Sequence, residues 1–232
     1  VSIACGLLFM NIAPVEQGAP GKHAVKQIEL PTATRNRVFL VMTMLAITSS
    51  ILFNFTTNGN GELLKARLPI LLQQPALLGM LLALVYGLSS LSQLAVGRLI
   101  DRFPIRNVML GIIACQGPVF LLAAVSHGWA FYATMVLFMV LVFGSIPFTD
   151  AIIARFVDDS IRSRVSGVRL AVSFGVSSMA VWALGPAVKA AGFSVALLVL
   201  GAVAACSFLI TLQLPDEKSI RGASAVPSPQ AA

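Results

Sequence analysis

Charge is what this chain has least of. Asp, Glu, Lys and Arg make up 11% of its 232 residues, where a soluble domain carries about 25%. So few charges cannot cover a surface that faces water. With 57% hydrophobic residues and a mean hydropathy of +0.90, the chain reads as a bilayer protein. Histidine is nearly absent: His23 lies in a polar stretch and His127 in a short turn. Two separated histidines form no ligand pair, and no nucleophile–base arrangement accompanies them, which argues against an intramembrane enzyme and a metal site. A phosphate-cradling Gly-x-x-x-x-Gly-Lys is missing too, so nothing points to direct ATP driving or to any other cofactor. The three cysteines, Cys5, Cys115 and Cys206, sit inside apolar runs. They suggest no disulfide framework and read as small buried hydrophobes.

The formal net charge is +7, but no aromatic interleaving accompanies the cations. They lie in short loops between apolar runs, which argues against a nucleic-acid partner. Gaps between charges locate the membrane spans, since a bilayer helix needs about 20 apolar residues. Val38–Gly61, Leu68–Gly97, Leu170–Val188 and Ala190–Pro215 are charge-free, and Asn107–Thr149 is long enough to be split at His127-Gly128-Trp129. The expectation is an all-α integral membrane protein with six spans, at 36–58, 77–97, 107–126, 129–149, 167–187 and 193–214, within a half-bundle over 36–214. Residues 1–14 read as the end of a truncated preceding helix, 15–35 as a cytoplasmic linker and 215–232 as a disordered cytoplasmic tail.

Orientation follows from the cations. If the 97–106 turn is cytoplasmic, thirteen Lys and Arg lie on that side, and only Lys65, Arg67 and Lys189 lie opposite. That is a positive-inside bias with the C-terminus inside. The expected location is a plasma membrane, the inner one in a bacterium, with the bilayer as a constant partner.

The turn itself, GRLIDRFPIR over 97–106, holds Gly97, Leu99, Asp101, Arg102 and Arg106. It resembles the G-x-L-x-D-r-x-G-r-k loop of the major facilitator superfamily of transporters, with Pro104 in place of the second glycine and Ile105 in place of a basic residue. The basic stretch Ile152–Val157 and then Arg162–Gly167 extends the resemblance. The family joins two six-helix halves, each a 3+3 inverted repeat. The resemblance therefore implies that this chain is the second half, that an N-terminal six-helix half is missing, and that a small-molecule substrate crosses by alternating access. The function expected is secondary active or facilitated transport. The alternative is a non-transporting membrane sensor or a partner-binding half-bundle.

The resemblance also implies an inner gate built from Gly97, Asp101, Arg102 and Arg106, whose contacts break when the inner side opens. Asp150, near Pro147 at a span end, reads either as a second anion for that gate or as an interfacial carboxylate in water. Arg155 or the arginines of the 97–106 turn are its candidate partners. In the second span Tyr86, Ser89, Ser90 and Gln93 recur at i, i+3, i+4 and i+7, one helical face. Thr43, Ser50, Asn54 and Thr57 in the first span, with Ile47 interrupting, and Ser173 with Ser177 in the fifth add neutral polar groups. The resemblance implies that these spans line the cavity; plain helix–helix contact explains single serines equally well. Gly79, Ala83 and Gly87 form a small-residue ridge beside the polar face. No charge falls in the middle of any span, which favours a neutral or lipophilic solute on this half.

Overall fold

The structure, a computed structural model, describes residues 32–156 and 159–214, with the backbone alone at 32–36, 38, 154–156 and 159–162. The helix end expected at 1–14, nearly all of the linker expected at 15–35, Cys5 and the tail expected at 215–232 lie outside the described residues. The described residues hold no strand. They form α1 (Thr32–Arg67), a 3₁₀ turn (Pro69–Gln73), α2 (Pro75–Arg102), α3 (Ile105–Val125), α4 (Gly128–Gly144), α5 (Ile146–Phe156) and α6 (Asp159–Leu212).

Proline and glycine set the boundaries. Pro69 pushes Leu68 out of the helical region, to φ −129°, and ends α1. Pro75 opens α2 at its first position, where a missing N–H costs nothing. Phe103 is extended because Pro104 follows it, and Pro104 in turn leads into α3. The reversal therefore falls at Phe103–Pro104. Gly97 sits inside α2 with open space where a Cβ would be, so it is not the reversing residue. Ser145 makes a turn between α4 and α5, and Pro147 is the second residue of α5. Its ring falls where α5 has no intrahelical N–H bond to lose.

Five stretches are long and apolar enough to cross a membrane: Phe39–Arg67, Pro75–Arg102, Ile105–Val125, Gly128–Ile153 and Ser163–Leu212. Their outer faces carry Leu40, Met80, Leu84, Leu91, Leu94 and Leu121, all exposed. Water does not tolerate a continuous apolar surface of this kind. The chain is a multi-pass membrane protein by helix length and composition. The last stretch, 50 residues, would run about 75 Å if straight, more than twice a ~30 Å hydrocarbon layer. It is broken at Gly192, where φ 78° and ψ 167° leave the helix. Only glycine adopts that geometry without strain.

Two apolar clusters hold the bundle, one at each end. One gathers Leu52, Leu63, Leu71, Val85, Phe120, Phe131, Phe138 and Leu197. The other gathers Val41, Leu45, Ile100, Ile105, Met109, Phe148, Ile152 and Leu214. α6 visits both clusters on each side of Gly192. Val165 packs on the second and Leu184 and Val188 on the first; then Phe193 and Leu197 pack on the first and Phe208 and Ile210 on the second. α1 and α3 pack on α6, and α2 packs on α4. Small residues let backbones approach: a Cβ on Gly201 would meet the Gly117 carbonyl at 3.7 Å, and one on Gly144 would meet Val96 at 3.2 Å.

Two sequence expectations change. The first helix does not stop near residue 58 but runs through Asn58-Gly59-Asn60-Gly61 to Arg67. Asn and Gly are poor helix formers. In an apolar surround, though, a broken backbone would leave N–H and C=O groups without partners, so the helix continues. Cys115 and Cys206, expected to be buried, are both exposed and free. They sit on the outward faces of α3 and α6, which lipid rather than protein would cover.

Candidate functional site

At the end of the bundle that holds the 97–106 turn, Asp101 and Arg102 lie exposed in the last turn of α2. Asp101 makes no ion pair among the described residues. Arg106, in the first turn of α3, donates Nη2 to the Leu212 carbonyl at 3.3 Å. A cation there caps the carbonyls that end α6, while its Nε is buried without a partner. Asp150 accepts from Arg169 Nη1 at 2.7 Å, joining α5 to α6. The partner is thus Arg169, on α6, rather than an arginine of the 97–106 turn. The Arg155 side chain lies outside the described residues. The Asp150 side chain is 72% exposed, so the pair is easily broken and contributes only about 0.2–1 kcal/mol.

In the middle of the bundle, Asn54 donates Nδ2 to Ser177 Oγ at 2.6 Å and links α1 to α6. The Tyr86 hydroxyl donates to the Thr57 carbonyl at 2.9 Å and links α2 to α1. The rest of the expected polar set is not gathered around one space. Ser89 is buried and bonds back to Val85 within its own helix, and Ser90 is exposed and bonds back to Tyr86. Gln93 and Ser173 are half-buried without a hydrogen bond among the described residues. A cavity lies elsewhere, between α1, α5 and α6, at the end that holds Asp150; Thr43 of the first-span polar stripe lines it, and Asn54, Tyr86, Ser89, Ser90, Gln93, Ser173 and Ser177 do not.

Sequence reasoning missed two polar clusters. Asn60 is wholly buried beside the Tyr86 phenol, yet neither amide atom completes a hydrogen bond, and the Thr57 hydroxyl nearby is also unpaired. The N-G-N-G run disguised Asn60 as the end of a span. At the opposite end, Arg67 gathers three elements. Its Nη1 meets His127 Nε2 at 2.6 Å, and its Nη2 donates to the Ala124 carbonyl at 3.0 Å and to Ser194 Oγ at 2.8 Å. The guanidinium also lies 5.6 Å over the Phe131 ring. A charge-assisted donor fork can hold several partners in one plane. Arg67 thus binds the end of α1 to the end of α3, the start of α4 and the residue pair just past Gly192. A sequence shows only Lys65 and Arg67 shortly before Pro69; the convergence is tertiary.

Among the described residues no group of three or more His, Cys, Asp or Glu is placed to hold a metal ion. Comparison with protein-family models, with curated proteins and with solved structures gave no match.

Proposed function

We propose that the chain forms the second six-helix half of a transporter resembling the major facilitator superfamily, moving a small solute by alternating access. Six spans follow if α6 is taken as two crossings that meet at Gly192. The contacts of α6 support that: Ser177 lies against Asn54, Ser194 against Arg67, and Leu212 back against Arg106. The observation that carries the reading is where the bundle is left open. Only 11% of the most apolar window of α2 is buried, against 33–39% in the other four stretches. Residues 163–195, on α6, contain no buried position at all.

The open face of α2 carries Gly79, Ala83 and Gly87, all exposed, with no atom within 4 Å of a Cβ at either glycine. Small residues on a lipid-exposed helix face suit close approach by another helix. A second six-helix half would cover α2 and the first part of α6, and the solute path would lie between the halves. Asp101 and Arg102 stand at the inner edge of that face, where they would meet the other half. Asp150–Arg169 is then a contact of the closed inner side, and the Arg67 cluster fastens the outer ends within this half. Rocking of one half against the other breaks and remakes contacts of the inner kind.

Arg169→Gln tests the gate without knowledge of the solute. With a single cysteine at Ser173 in a cysteine-free background, loss of the ion pair shifts the population towards the inner-open state. Labelling by a membrane-impermeant thiol reagent from the inner face should then rise by up to about fivefold, the equivalent of about 1 kcal/mol. An unchanged labelling rate would remove Asp150–Arg169 from the gate.

A further inference from the structure

The cavity beside Asp150 has the form of a lipid site. Its volume is about 220 Å³, and its walls include Phe39, Met42, Ala46, Val165, Val168 and Val172. An apolar chamber of about 150 Å³ already stays dry and accepts a hydrocarbon. Thr43, the neutral polar residue in the lining, gives its hydroxyl to the Phe39 carbonyl at 2.9 Å, so it offers no unspent donor. Ile153, Arg164 and Arg169 complete the lining. Arg169 is neutralised by Asp150. Arg164 is exposed and has no anion among the described residues, so the opening carries a net positive charge.

The depth of the cavity agrees with its chemistry. Phe39 follows Arg35 and Arg37, and Arg164 and Arg169 lie just before the charge-free run that starts at Leu170, so the opening sits where a bilayer changes from hydrocarbon to headgroup. A basic pocket between helix ends on the positive side is suited to an anionic headgroup. A soluble anion would gain nothing from the apolar walls, and a zwitterionic lipid carries an ammonium that offsets its phosphate and weakens its attraction to a cationic opening.

We propose that this cavity binds an anionic phospholipid, with one acyl chain between α1 and α6 and its phosphate on Arg164. The site rests on the bilayer placement within the reading above and not on transport. An occupant would lie against Arg169, which lines the cavity, and so brace the α5–α6 contact.

The test is native mass spectrometry of the purified protein, released from detergent containing equal phosphatidylglycerol and phosphatidylcholine with the same acyl chains. Retained phosphatidylglycerol should exceed phosphatidylcholine by about fivefold, as expected for one cation near the surface. Arg164→Gln should bring the ratio near one, and Lys189→Gln, at the opposite end, should leave it unchanged. Both changes are at exposed positions, so folding is not at stake. Val168→Trp, also exposed, should reduce retention by narrowing the chamber. Equal retention of the two lipids by the wild type, or an undiminished preference in Arg164→Gln, overturns the site. Displacement of the lipid by millimolar inorganic phosphate would mean an anion site without a chain, and also overturns it. Retention of neither lipid would overturn the site and leave the membrane placement, which rests on the helices, unaffected.

Discussion

Arg67 does more for this bundle than its position in the sequence suggests, since one guanidinium joins three other chain segments. Hydrogen bonds to a charged group contribute about 1.5–3 kcal/mol. Arg67→Ala should therefore cost about 2 kcal/mol, read as a fall in the thermal unfolding midpoint in detergent. Arg67→Lys should recover little of it, because an ammonium cannot reproduce the planar fork. His127 serves as acceptor at Nε2, which requires the other ring nitrogen to carry the proton. His127→Phe keeps a ring but removes the acceptor, and should cost less than Arg67→Ala. Equal midpoints for Arg67→Ala and the wild type would show that the cluster holds nothing. Further inside, Asn54 and Ser177 should couple by about 0.6 kcal/mol in a double-mutant cycle, the ordinary strength of such bonds between membrane helices.

Residue identity alone revealed part of this. Asn54, Tyr86 and Ser177 stood out in the sequence as polar groups in apolar runs, and the structure gives each an interhelical bond. Ser89 and Ser90 share the same pattern but bond within their own helix. Periodicity reports a face, not what that face meets. Arg67, Asn60 and Arg169 were missed as partners because their contacts lie between 19 and 127 positions away or depend on burial.

Elements were more legible than sites. Apolar runs free of charge mark helices wherever the chain must satisfy its backbone without water. The ends were less legible. Pro69, Pro75 and Pro104 act by fixed stereochemistry and place boundaries within a residue. Asn58 to Gly61 look like an end and are helical, because apolar surroundings overrule propensity. Gly59 in that run leaves room for Leu184, which would lie 3.7 Å from a Cβ there. The break in α6 belongs to the gap between 187 and 193 that the charge pattern left, and Gly192 makes it. Gly192→Ala should destabilise the protein by about 1–3 kcal/mol, since φ 78° with ψ 167° is a region for glycine alone. The neighbouring Gly175, at ordinary dihedrals with open space around it, should tolerate alanine. Similar losses at both positions would contradict the assigned break.

For the whole molecule, the two ends of the bundle differ in how they are held. Buried aromatics and the Arg67 cluster fasten one end. The other end combines a second apolar cluster with an exposed ion pair, a lipid-sized cavity and most of the cations. Such asymmetry fits a machine whose outer ends within this half stay together while its inner side opens. The open faces of α2 and of the first part of α6 are the places where a second half and a water-filled path would lie. A lipid-facing surface and a path-facing surface both look exposed, and reagent access separates them.

The most direct measurement is therefore the labelling of a single cysteine at Ser90, exposed on α2, by a membrane-impermeant cationic thiol reagent applied to each side in turn. Labelling from both sides, with a cysteine at the outward-facing Leu121 left untouched, is the result expected of an alternating path along α2. Protection of Ser90→Cys from both sides, equal to that at Leu121, would make this face a lipid-facing surface and contradict the transporter account.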